Sequence, residues 1–110
     1  MWTVEFFISR TGRRPVADFI KRELSKEETA QLQERLKLLQ EYGPDLSKEY
    51  PRAMTRLTGR YRDVYEIRIA NSSQVRVFFM FEGNRAVLVD GAKMAGKGWK
   101  IWRLHYVWGV

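Results

Sequence analysis

The sequence predicts an α+β domain: an N-terminal strand, a two-helix hairpin, then an antiparallel meander of three to four strands. Three observations carry this. Residues 62–90 hold three short runs rich in β-branched and aromatic side chains, separated by turn residues. Residues 15–43 place apolar side chains at helical spacing. Residues 2–8 form a separate aromatic and β-branched run ahead of both helices.

Trp2-Thr3-Val4-Glu5-Phe6-Phe7-Ile8 reads as the first strand, and Thr11-Gly12-Arg13-Arg14 as the turn after it. Pro15 suits a first helical position, where its missing N–H costs nothing. Val16, Phe19, Ile20 and Leu24 then recur at helical spacing. Ser25 with Glu28 three residues on is a capping-box pattern and starts a second helix. Leu32, Leu36 and Leu39 give that helix its apolar stripe, and Gly43-Pro44 ends it. Two nearly contiguous helices predict a hairpin packed on one face of the sheet. Residues 45–58 read as a polar connection with room for a short helical turn and with Leu57 as its buried anchor.

Strands follow at about 62–70, 74–82 and 85–90, joined by Asn71-Ser72-Ser73 and Glu82-Gly83-Asn84. Residues 91–98 read as a flexible basic loop. The tail from Trp99 to Val110 alternates, with Trp102, Leu104, Tyr106 and Trp108 on one face of a last strand. Neither a repeat nor a linker interrupts the chain, so one domain is expected over residues 1–110.

The totals bound the function. The chain has 110 residues, is 45% hydrophobic and 30% charged, and so belongs with globular proteins that build one core. It contains no cysteine and one histidine, which argues against a disulfide framework or a zinc site. No apolar run is long enough to span a bilayer, and the first residues lack the layout of a secretory signal. Cytoplasmic residence is the expectation. The net charge of +7 favours a polyanionic partner. Basic residues cluster at 52–62 and after Gly91, while acids concentrate at 23–49. General solubility is the alternative account of that charge.

The most informative stretch is Tyr65-Glu66-Ile67-Arg68 with Val75-Arg76-Val77-Phe78-Phe79. Alternation puts Tyr65, Ile67, Val75, Val77 and Phe79 on one face. Glu66, Arg68, Arg76, Phe78 and Met80 fall on the other. Arginine among large apolar groups is expensive to bury unless something anionic meets it. Two on adjacent strands make a shallow cationic site, and phosphate fits the planar guanidinium fork.

These residues resemble the RelE/HigB superfamily of toxin–antitoxin toxins, and within it the phage-derived Gp49-like group. The resemblance covers roughly residues 1–98. Besides the two arginine strands, its carriers are Gly12 and Pro15, Leu39 with Tyr42-Gly43, Leu57-Thr58-Gly59, and Ala86-Val87-Leu88-Val89. The resemblance implies a small ribonuclease that cleaves mRNA in the ribosomal A site and is neutralised by a cognate antitoxin, commonly a helix-turn-helix protein. By position, Arg68 and Arg76 match basic strand residues of the family, and Lys93 matches a basic cluster after the third meander strand. Relatives usually carry a histidine–x–phenylalanine and paired lysines there, whereas this chain has Asp90-Gly91-Ala92-Lys93-Met94. It also has Phe79 where tyrosine is common.

Cleavage through the 2′-hydroxyl needs a base, stabilised charge on phosphorus, an acid for the leaving oxygen, and alignment. Arginine meets the second need. The candidates are Arg76 as transition-state clamp, Arg68 as phosphate positioner, and Lys93 or Lys97 as cationic support. Such a design needs no metal or cofactor. Glu66 shares Arg68's face, as base or as a salt-bridge partner that orients arginines. His105, the chain's one imidazole, is a candidate acid or base, or simply lies on the polar side of a strand. Arg52, Arg56 and Arg60 recur every fourth residue, a basic stripe for RNA if helical and a diffuse cationic surface if not. The tail tryptophans suit base stacking, a protein contact, or core packing. A non-catalytic RNA-binding or antitoxin-binding relative is the alternative to an enzyme.

Overall fold

A computed structural model describes residues 1–69, 75–95 and 98–102. The chain runs through β1 (Thr3–Phe6), α1 (Pro15–Glu23), α2 (Lys26–Tyr42), α3 (Leu46–Glu49), β2 (Met54–Arg56), β3 (Tyr65–Arg68), β4 (Val75–Glu82), β5 (Arg85–Ala95) and β6 (Gly98–Trp102). The fold is α+β, built on one mixed sheet ordered β1-β5-β4-β3-β2, with β6 also paired to β5.

The helices start and stop where local chemistry says they should. Pro15 opens α1. The Ser25 hydroxyl accepts from the Glu28 N–H at 3.1 Å, and the Glu28 carboxylate accepts from the Ser25 N–H at 2.8 Å. Gly43 closes α2 at φ 55, and a Cβ there would fall 2.2 Å from the Trp2 indole. The two helices pack on the sheet more than on each other: α1 covers β5, while α2 reaches β1 and β3. The expected hairpin is therefore only partly matched.

The antiparallel β3-β4-β5 meander follows the alternation in the sequence. Its first strand is shorter than expected, and the turn at 71–73 lies outside the described residues. Three features differ from expectation. First, β1 pairs parallel with β5, Thr3 opposite Arg85 and Phe6 opposite Leu88. Second, the polar connection holds not only the expected short helical turn, α3, but also the edge strand β2, which pairs with β3. Its buried anchors are Leu46, Ala53 and Met54, whereas Leu57 is only half-buried. Third, β5 does not stop at Asp90. It continues to Ala95 because β6 supplies a partner from Gly91 to Ala95, where a loop was expected. The tail beyond Trp102, including Trp108, lies outside the described residues.

The main core lies between helices and sheet. Phe19, Leu32 and Leu39 from the helices meet Ile67, Val77, Phe79 and Leu88 from the strands, all essentially sealed from solvent. Each such side chain contributes about 1.5–3 kcal/mol by burial. A smaller cluster on the opposite face joins Val64, Phe78, Val89 and Ala92, flanked by Phe7, Leu57 and Tyr61.

One irregularity decides which residues share a face. Phe78 pairs with Asp90 but Phe79 with Leu88, so Val89 is an extra residue in β5. A bulge of this kind reverses the alternation beyond it. Gly91 therefore turns toward the helices, and a Cβ on it would lie 2.3 Å from the Phe19 ring.

Candidate nucleic-acid interface

Arg68 and Arg76 stand directly opposite each other on β3 and β4. Two like charges at that spacing repel unless a counter-charge sits between them. Glu66 is that counter-charge. Its Oε1 accepts from Arg68 Nε at 3.2 Å and Nη2 at 2.9 Å, and its Oε2 accepts from Arg76 Nη1 at 3.3 Å. The carboxylate is nearly sealed, with 4% of the side chain exposed, whereas the arginine side chains are 39% and 33% exposed. A buried anion thus fixes two cations whose outer edges reach solvent.

The alternation of β3 and β4 is sufficient to produce this. Glu66 and Arg68 are two residues apart on one strand and so share a face, and register brings Arg76 to them. Phe78 lies beside Glu66 across the strands, and beyond it the fully buried Asp90 accepts the Gly91 N–H at 2.8 Å. Asp90 is the site residue that sequence reasoning missed. Its only signal is a carboxylate placed between an apolar strand and a glycine. Two cations and two carboxylates over a small apolar floor describe the centre of this face.

Lys93 does not join them. Without the extra Val89 it would fall on the arginine face; with it, Lys93 pairs with Val75 on the helix side. There its Nζ donates to the Glu23 carbonyl at 2.8 Å and to Glu28 Oε1 at 3.1 Å. Glu28 is the same carboxylate that caps α2. Lys93 therefore ties β5 to the end of α1 and the start of α2, and the expected grouping with Arg68 and Arg76 is corrected.

The other basic residues are dispersed as well. Arg52 is exposed in the turn before β2, Arg56 is on β2, and Arg60 lies in a single 3₁₀ turn, Gly59–Tyr61. They form no helical stripe, because the intervening segment is extended. Arg56 pairs across from Tyr65, with its guanidinium 5.8 Å from that ring, and it binds the Arg62 carbonyl and Asp63. The Arg60 guanidinium lies 5.5 Å from the Tyr61 ring. Lys97 and His105 lie outside the described residues. At the far edge of the sheet, Glu5 and then Glu82 hold Arg85 and raise its pKa further. Among the described residues no group of three or more His, Asp or Glu side chains is placed to hold a metal ion, and no helix is long and apolar enough to cross a membrane.

The family model described as phage-derived protein Gp49-like matches residues 19–108. The chain belongs to that family. Gp49-like proteins are a RelE/HigB-like toxin group, so this is a toxin-like phage-derived protein. The match begins at Phe19 and runs through the tryptophan-rich tail, further than residues 1–98. No curated protein and no solved structure matches this Gp49-like chain significantly.

Proposed function

We propose that this Gp49-like chain is the toxin of a type II toxin–antitoxin system, a ribosome-dependent endoribonuclease that cuts mRNA in the A site without a metal. The observation that carries this is the opposed pair Arg68 and Arg76 locked by the buried Glu66. In the reaction, the 2′-oxygen attacks phosphorus as its proton leaves, and the 5′-oxygen departs as it is protonated. Negative charge builds on the phosphoryl oxygens between those events. Arg76 is the clamp for that charge, because fixed donors act best where charge develops. Arg68 positions the phosphate. Among the described residues its guanidinium donates only to Glu66, which leaves further N–H groups for an anion. Glu66, engaged by both arginines, orients them. The partners are mRNA, the ribosomal A site and a cognate helix-turn-helix antitoxin, and the setting is cytoplasmic.

One observation favours a non-catalytic RNA-binding or antitoxin-binding relative instead. Lys93, the family's cationic position, is spent on Glu28 and the Glu23 carbonyl. Primer extension on a translating mRNA, with and without 70S ribosomes, decides between them. Cuts that require ribosomes and are lost in Arg76→Ala are the expected result. Folded protein that leaves mRNA uncut under both conditions would establish the binding relative.

A further inference from the structure

On the β2 edge, away from the arginine pair, the chain folds an open cleft of about 360 Å³ between α2, the end of α3 and the turn into β2. It is lined by Ala53, which is sealed from solvent, and by the exposed Pro51. Arg35, Glu49, Tyr50 and Arg52 form its walls. Neither arginine side chain makes an ion pair or a hydrogen bond with another described residue. Tyr50 is 41% exposed, and its ring is braced edge-on by Tyr42 at 5.8 Å and 64°. A braced, exposed aromatic ring beside two unengaged guanidiniums is the combination that holds an unstacked base and its phosphate. Glu49 adds an acceptor, which suits a base with an exocyclic amino group better than a bare phosphate.

The cleft is also joined to the arginine strand. The Ala53 carbonyl accepts the Arg68 N–H at 3.0 Å, so the cleft lining is one hydrogen bond from β3. A strand of RNA lying over Arg68 and Arg76 can continue around the β2 edge into it. We propose that this cleft is a second nucleotide subsite for single-stranded RNA, with Tyr50 stacking on a flanking base and Arg35 and Arg52 holding its phosphate. The subsite rests on the reading that the chain engages RNA, but not on its cutting RNA.

The test is binding of a short 2′-O-methyl oligonucleotide, which cannot be cleaved through its 2′-position, to the full chain by fluorescence anisotropy. Tyr50→Ala is expected to weaken binding about tenfold, the effect of removing one stacking platform, while Tyr50→Phe retains parental affinity. Arg52→Ala is expected to weaken binding and to flatten its salt dependence, since one phosphate contact is lost. Both residues are exposed, so melting temperatures should stay near the parent's and report intact folding. Parental affinity in Tyr50→Ala would overturn the subsite. A parent that fails to bind the oligonucleotide would overturn it too, together with the RNA reading beneath it. A parent that binds through Tyr50 yet leaves translating mRNA uncut would uphold the subsite and remove only the enzyme.

Discussion

The two faces of the sheet are written by the same strands yet built for different ends. On the helix side, Ile67, Val77, Phe79 and Leu88 are sealed against Phe19, Leu32 and Leu39. Their neighbours one position along, Glu66, Arg68, Arg76 and Phe78, together with Asp90 beyond the bulge, make a face that mixes charge with a small apolar cluster. The first face gains by excluding water and tolerates no charge at its centre. The second holds two half-exposed cations in fixed positions on one buried carboxylate. A sealed apolar face and a charged one are thus separated by the alternation of the same strands.

The separation can be broken most severely from the helix side. Phe79→Ala is expected to destabilise the fold by about 3–5 kcal/mol, because it empties the centre of the main core. Urea unfolding checks this, and both faces should be lost in one transition. A smaller effect on stability and a large one on function is expected across the sheet. Arg76→Ala should cost on the order of a hundredfold in ribosome-dependent cleavage, with the unfolding midpoint close to the parent's. If the midpoint collapses with the activity, the second face is structural and the comparison fails.

Lys93 sharpens the contrast from the boundary between the faces. Lys93→Met removes the ammonium 3.1 Å from the buried Glu28 carboxylate and should cost about 2 kcal/mol of stability. Cleavage at a temperature where the variant remains folded should be nearly unchanged. A stable Lys93→Met variant that no longer cuts would restore the lysine to the catalytic side. The smallest effect expected is that of Ser25→Ala, about 1 kcal/mol for the lost helix cap. Thermal melting measures it, and activity per folded molecule should not change.

Much of this was legible in the residues. Alternation in Tyr65–Arg68 and Val75–Glu82 assigned both faces, and Ser25 with Glu28 marked the start of α2. The arginine pair follows from those two strands once their register is known. What remained hidden depends on contacts far apart in sequence. Nothing near Thr3 announces a parallel partner at Arg85. Met54–Arg56 is too short for periodicity to declare it a strand. The bulge at Val89 has no side-chain signature of its own, apart from a glycine two residues later. That one hidden residue puts Lys93 on the helix side, whereas the family resemblance alone groups it with the arginines.

The parallel pairing of β1 has a temporal consequence. Thr3–Phe6 is synthesised well before its docking strand, which begins only at Arg85. Closing so long a loop is entropically slow, and neighbouring hairpins form sooner. During synthesis the nascent chain therefore carries an undocked N-terminal segment, with Val4 lacking its place beside Ala86. The arginine strands β3 and β4 can meet before that, yet Asp90 and the Val89 bulge arrive with the same late strand that captures β1. Completion of the charged face and locking of the chain's beginning are thus expected as one late event in folding.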